Sequence, residues 1–316
     1  MQGRDLKGIV DRYRTVTILS HINPDGDAIG SSLAIYVILK HYGKQVEVVN
    51  YSTDLPMNLD FLPYYSRIKQ KIDFAESLII ACDCGSKDRL GFDLEGREIV
   101  NIDHHRTNQR YGILNFVDPE RASCAEVVYA AMKKEFFIPG KAATCLYAAL
   151  LSDTRYFTTN QVNEGVFSFA KTLIAHGAEQ KVVAFNLTQR RSLASLRILG
   201  RALDALTLHF HATVASISIS RTMIDATGAK MSDMDGIVEY ARSLVTVEIA
   251  VLLVEEGAST RVSFRSKHHD VSMLARYFGG GGHHNASGFI AESGNLEEIL
   301  DKILHQIQNS VLKTGE

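Results

Sequence analysis

Residues 15–34 read TVTILSHINPDGDAIGSSLA. An apolar run that stops at a polar loop and resumes with helical spacing predicts a strand, a loop and a helix. The loop carries His21, Asp25 and Asp27 within seven residues. Carboxylates this close repel one another, which raises at least one pKa unless a cation balances them. The alternative is a solvated turn, because Asn, Pro, Asp and Gly all favour turns.

Apolar runs alternate with helix-like segments through the first 160 residues. The next runs are QVEVVNY (45–51), SLIIACDCG (77–85) and EIVNIDHH (98–105). This alternation predicts an α/β fold with a mostly parallel sheet flanked by helices. From HATVASISIS (211–220) onward, strand-like runs alternate with short helices and indicate a smaller α+β domain. The expected organisation is a catalytic domain (1–184), a helical connector (185–206) and a second domain (207–316).

The bulk composition excludes several classes of protein. Lys and Arg number 34 against 36 Asp and Glu, so no overall positive field favours long duplex nucleic acid or a membrane surface. The four cysteines lack zinc-type spacing and are expected to be buried thiols in a reducing compartment. No apolar run is long enough for a membrane span, and no signal-peptide core stands at the N-terminus. These features predict a cytoplasmic protein.

Metal-capable side chains follow several of the apolar runs. His21 follows the first run, Asp83 lies in the third, and Asp103, His104 and His105 end the fourth. Ligand sites of open α/β sheets form outside the carboxyl ends of the strands, so these side chains are expected to meet there. Asp153 ends a helix-like run and could reach the same edge, although a plain helix terminus is the alternative.

The candidate ligands form a set of two imidazoles and four carboxylates: His21, Asp25, Asp27, Asp83, His104 and Asp153. This oxygen-rich mixture suits Mn²⁺, and also Mg²⁺ or Co²⁺, better than a thiolate zinc site. Six ligands are too many for one ion that keeps an open position. They suffice for two divalent cations about 3.5–4 Å apart, as used in phosphoester hydrolysis. Asp83, on its own strand between the two clusters, is the expected bridge.

The second domain carries FGGGGHHNASG (278–288). Consecutive glycines let a backbone approach an anion closely, although a flexible loop is the plain alternative. His283 and Asn285 add side-chain donors beside the glycines. Arg265, followed by Ser266, could grip a terminal phosphate in a bidentate fork.

These motifs resemble those of a known family. HINPDGDAIGS, DCG, NIDHH and SDT are similar, in order, to the four motifs of the DHH phosphoesterase superfamily. RVSFRSK and FGGGGHHNASG resemble the DHHA1 domain that accompanies them. The resemblance extends over about residues 15 to 290, and it is closest to the two-domain branch that includes bacterial nanoRNase/pAp phosphatases.

The resemblance implies roles for individual residues. One ion would be held by His21, Asp25 and Asp83, and the second by Asp27, Asp83, His104 and Asp153. His105 would lie beside the leaving-group or phosphate oxygens as a catalytic residue, with Asp83. The 5′-phosphate or adjoining nucleotide would be held by a group in the DHHA1 domain: Arg265, Ser266, Gly280, Gly281, Gly282, His283, His284 and Asn285.

The implied activity is hydrolysis of short RNA oligonucleotides to mononucleotides and of adenosine 3′,5′-bisphosphate (pAp) to AMP. The nearest alternative is a hydrolase of the linear dinucleotide pApA. A single-strand exonuclease of the RecJ kind would need a further nucleic-acid-binding module, and a family II pyrophosphatase lacks the GGGGH loop. A non-catalytic nucleotide-binding protein is disfavoured, since all six ligand positions hold competent residues. Relatives also suggest a homodimer.

Overall fold

The computed structural model describes residues 5–234 and 236–310, which divide into two compact units with the boundary between Arg190 and Arg191. The boundary falls inside the stretch 185–206, for which one helical connector was predicted. Instead, one helix ends at Gln189 and the next begins at Leu193. The break arises because the Ser192 side chain caps the second helix, accepting a 2.9 Å hydrogen bond from the Ser195 amide.

A six-stranded sheet forms the centre of the first unit. Its strands are β1 (Thr15–Ser20), β2 (Gln45–Val49), β3 (Ile68–Lys69), β4 (Leu78–Cys82), β5 (Ile99–Asp103) and β6 (Leu114–Val117). Their spatial order is β3-β2-β1-β4-β5-β6, and every pairing is parallel. Strands β4 and β5 are buried throughout, as expected for a parallel sheet covered on both faces. The predicted parallel α/β architecture is confirmed.

The described part of the first unit contains the α-helices α1 (Leu6–Asp11), α2 (Gly26–His41), α3 (Cys124–Met132), α4 (Gly140–Asp153), α5 (Glu164–Ala175) and α6 (Gln180–Gln189). Helix α2 is apolar around most of its circumference because β1, β2, α3 and α4 all pack against it. The contact with α4 is close at Gly30, where an added β-carbon would lie 2.6 Å from the carbonyl oxygen of Cys145. Glycine therefore sets the spacing between the two helices.

The second unit contains a mixed sheet between two helical layers. Its elements are α7 (Leu193–Asp204), β7 (Leu206–His209), β8 (Val214–Ile219), α8 (Arg221–Thr227), α9 (Ile237–Arg242), β9 (Ile249–Glu256), β10 (Ser259–Ser266), α10 (Val271–Tyr277), β11 (Gly281–His283), β12 (Ala286–Ala291) and α11 (Leu296–Ser310). The strand order is β11-β12-β10-β9-β8-β7, with β8 and β9 parallel and the other pairs antiparallel. Helices α7, α8 and α9 pack on one face, and α10 and α11 on the other. This unit matches the smaller α+β domain predicted from the sequence.

The four cysteines, Cys82, Cys84, Cys124 and Cys145, are buried and free, as predicted. Across residues 5–234 and 236–310, no helix has both the length and the apolar character needed to span a bilayer.

The same Gly→Ala change is expected to act in opposite directions in α2 and α7. Gly30→Ala forces a β-carbon against the α4 backbone and should lower stability by about 1–3 kcal/mol. At Gly200, in the interior of α7, a β-carbon meets nothing within 4 Å. Gly200→Ala should therefore raise stability by about 0.5–1 kcal/mol through helix propensity alone. Calorimetric Tm values of both variants check the pair, and a stabilising Gly30→Ala would contradict the close packing.

Candidate metal centre

The candidate centre lies where the strand order of the first sheet reverses. Strands β1 and β4 are neighbours there, and the chain continues from β1 into His21 and from β4 into Asp83. Crossovers leave such a switch point in opposite directions, which opens a crevice at the carboxyl ends of the two strands. Asp83 adopts a left-handed conformation with φ of 54°, and its amide donates to the carbonyl of Ile102 at 3.0 Å. A non-glycine residue in this region is uncommon and clusters at functional sites.

Three predicted ligands meet on one side of this crevice. One ligand atom each of His21, Asp25 and Asp83 lies within 4.8 Å of the others. The Nε2 atom of His21 is 3.7 Å from Oδ2 of Asp83. Asp25 is the N-cap of α2, and its Oδ1 accepts 3.0 Å hydrogen bonds from the amides of Asp27 and Ala28.

The other predicted ligands form a second group beside the first. Nε2 of His104 lies 3.9 Å from Oδ2 of Asp27 and 3.5 Å from Oδ2 of Asp153. The same Nε2 atom is 3.7 Å from Oδ1 of Asp83. Asp83 therefore touches both groups, with a different carboxylate oxygen toward each histidine. The six side chains come from four separate segments of the chain.

The separations suit ligands that share a cation. Distances of 3.5–3.9 Å are too long for hydrogen bonds. Two ligands about 2.1 Å from one ion, at angles of about 110–130°, would lie about 3.4–3.8 Å apart. Oδ1 of Asp83 is buried and, among the described residues, has no hydrogen-bond partner. An orphaned buried carboxylate oxygen needs a compensating charge, so the residues present fit divalent cations.

Both histidines are oriented by the backbone. Nδ1 of His21 lies 2.8 Å from the carbonyl oxygen of Ile22, and Nδ1 of His104 lies 3.2 Å from that of Arg121. A neutral ring that donates from Nδ1 would keep the Nε2 lone pair, on the side of the carboxylates, available to a cation. Metal-ligating histidines are commonly held by such a hydrogen bond from the other ring nitrogen.

Asp27 is positioned by the first turn of α3. Its Oδ2 accepts a 2.6 Å hydrogen bond from the Cys124 amide, and its Oδ1 accepts from the Ala125 amide at 3.2 Å. The Ser31 hydroxyl also donates to Oδ1, at 2.9 Å. A helix N-terminus favours negative charge, so α3 both orients this carboxylate and stabilises it.

Burial and mutual repulsion control the charge of the cluster. Burial, followed by the charge of Asp27, raises the pKa of Asp83 well above its usual range. Burial, followed by the charge of Asp153, likewise raises the pKa of Asp27. Protons therefore compete with cations for these oxygens, and cation binding releases protons.

Divalent cations are expected to raise the thermal stability of the protein, and to do so more strongly at pH 8 than at pH 5. The raised pKa values mean that the metal-free protein loses stability as pH rises above the ordinary carboxyl range, because the unfolded chain releases these protons there while the folded protein keeps them. A cation at 100 times its Kd would add about 2.7 kcal/mol. Calorimetry at both pH values, with no Mn²⁺ and with Mn²⁺ at about 100 times its Kd, measures the Tm shift. A shift at pH 5 that equals or exceeds the shift at pH 8 would contradict the prediction.

His105 is held by Asp103, a residue whose type and position also suit a metal ligand. Nδ1 of His105 lies 2.7 Å from Oδ1 of Asp103, and Oδ2 of Asp103 accepts a 2.5 Å hydrogen bond from Asn108. Asp103 is fully buried, yet its hydrogen bonds to His105 and Asn108 outweigh burial and lower its pKa to about 2. The ionised Asp103 thus orients His105, whose Nδ1 is also 3.6 Å from Oδ1 of Asp83.

Arg265 and Ser266 are both engaged within the second unit. Nε of Arg265 donates to Oε1 of Glu239 at 2.9 Å, and a terminal nitrogen donates to the Phe264 carbonyl at 2.9 Å. Glu239 was missed in the sequence because it precedes Arg265 by 26 positions and carries no motif. Ser266 is fully buried, and its hydroxyl donates to the His269 carbonyl at 2.5 Å. Its hydroxyl therefore holds the local backbone.

The glycine run is part of a β-hairpin and not a loop. Gly281–His283 forms β11 at the edge of the sheet, and His284 and Asn285 make the turn into β12. Two of the glycines are required by close backbone approach, since β-carbons at Gly280 and Gly282 would collide with β12. His283 and His284 are exposed, and Nδ1 of His284 lies 2.5 Å from Oδ1 of Asn285.

Comparison with known proteins finds relatives along both units. The family model of the DHH family N-terminal domain matches residues 15–150, and that of the DHHA1 domain matches 196–309. The chain is 30% identical to the bifunctional oligoribonuclease and PAP phosphatase NrnA of Thermus thermophilus, over 95% of this chain and 91% of that protein. Its identity to the Bacillus subtilis protein of the same name is 27%, over 88% and 90%. An exopolyphosphatase-related protein from Bacteroides fragilis superposes with a TM-score of 0.85, at 26% identity over 95% and 94% of the two chains.

Proposed function

The chain belongs to the DHH phosphoesterase family, and from this premise we propose that it degrades short RNA oligonucleotides to mononucleotides and dephosphorylates adenosine 3′,5′-bisphosphate to AMP. The observation that carries the proposal is the Asp83 carboxylate, which lies between two groups of ligands and has one buried oxygen with no hydrogen-bond partner among the described residues. The names of the Thermus and Bacillus relatives support the substrate class. The balanced net charge fits short substrates better than long duplexes.

Two divalent cations are part of the proposal, with Mn²⁺ as the first choice and Mg²⁺ or Co²⁺ as substitutes. His21, Asp25 and Asp83 would hold one ion, and Asp27, Asp83, His104 and Asp153 the other. When bound, such ions supply an activated water and charge stabilisation for the phosphoryl oxygens. The donor chemistry and spacing described above support this assignment.

His105 is the proposed proton donor to the leaving group. Asp103 holds the Nδ1 side of the ring, so a proton carried at Nε2 could pass to the departing ester oxygen. Because Asn108 occupies the other oxygen of Asp103, the carboxylate cannot rotate without losing both partners. His105 is therefore fixed before substrate arrives, which avoids reorganisation during the reaction.

The second unit is proposed to bind a phosphate or nucleotide of the substrate. Arg265, oriented by its hydrogen bond to Glu239, would bind the phosphate through its guanidinium. Gly280, Gly281 and Gly282 would let the backbone approach the phosphate closely. His283, His284 and Asn285 would add donors from the hairpin. Ser266 would act indirectly, through the backbone that its buried hydroxyl holds.

A product assay with Mn²⁺ on four substrates tests the proposed function. The substrates are a 5′-phosphorylated RNA trimer, pAp, pApA and pyrophosphate. Mononucleotides from the trimer together with AMP from pAp would support the proposal. Turnover of pApA alone would assign a dinucleotide hydrolase instead, and no metal-dependent turnover of any substrate would overturn a hydrolytic role.

The proposal also includes a cytoplasmic location and a homodimeric assembly. Four free, buried thiols are consistent with a reducing cytoplasm. A homodimer remains a prediction, which sedimentation velocity of the full chain would test directly.

A further inference from the structure

One face of the second sheet presents an unusual row of side chains along β10. Strand alternation places Val262 and Phe264 in the core shared with α10 and α11. Arg261, Ser263 and Arg265 therefore point to the opposite face. Their partners on β9 are buried beneath α7, α8 and α9, whereas their partners on the other side belong to β12.

The strands β12 and β11 extend this face with small residues. In register, Arg265 pairs with Ala286, Ser263 with Gly288, and Arg261 with Ile290. Strand β11 then places His283 beside Ala286 and Gly281 beside Gly288. We call this surface the strand shelf, defined by Arg261, Ser263, Arg265, Gly281, His283, Ala286, Gly288 and Ile290. The middle row of the strand shelf holds small residues, Ser263, Gly288 and Gly281, and the arginines Arg261 and Arg265 lie on either side of it along β10.

Glycine at position 288 keeps the centre of the strand shelf low. A β-carbon there would collide with the carbonyl oxygen of Val262 on β10. At Gly281 a β-carbon would meet nothing within 4 Å. Ser263 and Ala286 add little height between these glycines, so a planar group can lie against the strands.

The outer row of the shelf, Arg261 and Ile290, has the chemistry to hold a nucleobase and its phosphate. Ile290 is 64% exposed, which is unusual for a large aliphatic residue in a strand. Within the described residues, the Arg261 side chain donates one long hydrogen bond, 3.5 Å to the Met231 carbonyl. Guanidinium planes stack on unpaired bases and also bind phosphate. An apolar neighbour beside the guanidinium covers the base from water.

We propose that Arg261 and Ile290 form an outer nucleotide-binding position that only oligonucleotides reach. The proposal rests on the proposed function, in which Arg265 holds the substrate phosphate. Four residues of strand separate Arg261 from Arg265, which corresponds to about 13 Å. Stacked nucleotides advance about 3.4 Å each along one strand, so several successive nucleotides match this separation better than one nucleotide does. The row would therefore determine how strongly longer substrates bind relative to pAp.

Arg261→Ala and Ile290→Ala are the test variants. Arg276→Ala is the matched control, because exposed Arg276 lies on α10, across the sheet from the shelf. Binding is measured by fluorescence anisotropy with Mn²⁺ present, using a 5′-phosphorylated 2′-O-methyl phosphorothioate RNA pentamer that resists hydrolysis. We expect Kd for the pentamer to rise about fivefold in Arg261→Ala and less in Ile290→Ala, as for the loss of one stacked base. The KM for pAp should stay within twofold of wild type in all three variants.

Two results would overturn the outer position. One is an unchanged pentamer Kd in both shelf variants, and the other is an equal loss of pentamer and pAp binding. A wild-type protein that binds the pentamer but hydrolyses neither RNA nor pAp would refute the proposed function while leaving the outer position intact. The two proposals can therefore fail separately.

Discussion

Asp83→Asn is expected to lower metal-dependent hydrolysis by at least about 10³-fold, equivalent to about 4 kcal/mol of activation free energy. The amide keeps the shape of the side chain but removes the charge that faces both histidines. Because burial and like charges raise the pKa of Asp83, the neutral amide should leave the metal-free protein as stable as wild type or more so. Steady-state rates and Tm values with and without Mn²⁺ measure both effects.

Asp93→Asn is the control for this variant. Asp93 is exposed in the same unit, and the substitution makes the same chemical change away from the candidate ligands. It should retain wild-type activity and the full stabilisation by Mn²⁺. An Asp83→Asn protein that keeps more than about a tenth of wild-type kcat, or the complete Mn²⁺-induced Tm shift, would refute the bridging role.

Asp103→Asn is expected to reduce kcat by about 10²-fold while KM and the Mn²⁺-induced Tm shift change little. The reason is that Asp103 contacts His105, whereas the six proposed metal ligands are other residues. A folded pKa of about 2 means that ionised Asp103 stabilises the protein above the ordinary carboxyl pKa and stops doing so as pH falls toward 2. The variant should therefore also lose on the order of 2 kcal/mol of stability at pH 7.

Asn108→Ala tests the orientation of the Asp103 carboxylate without removing its charge. It removes the second anchor of the Asp103 carboxylate but leaves the contact with His105, so we expect a smaller loss of kcat, about tenfold. If Asp103 had a purely structural role, the Asp103→Asn substitution would lower stability without the selective loss of kcat at nearly constant KM. That pattern in Asp103→Asn would contradict the proposed positioning of His105.

The fold class could be predicted because its signals are local. Each core strand of the first unit is a short apolar run, and the polar residues His21, Asp83 and Asp103 mark the carboxyl ends that a parallel sheet brings together. The strand order was beyond reach, since nothing in the run 78–82 indicates that it pairs with β1 instead of β3. Pairing of this kind depends on packing of the whole sheet, which periodicity does not encode.

The missed features are those that depend on contacts between distant residues. The Asp103 carboxylate could be a metal ligand by its chemistry. Only its hydrogen bonds with His105 and Asn108 indicate that it orients His105. Glu239 reaches Arg265 through the packing of α9 on β10. The GGGGHH run has no strand propensity, yet β12 provides it with a partner, so tertiary pairing overrode the local signal.

The adjacency of β1 and β4 also determines when the metal centre can exist during synthesis. Strand β1 leaves the ribosome early, but its neighbour β4 follows only after β2 and β3 have been made. Contacts between segments so distant in sequence form slowly. Asp153, at the end of α4, is the last candidate ligand to emerge. A nascent chain cannot complete both groups of ligands before that helix docks, so tight cation uptake would mark a finished catalytic unit.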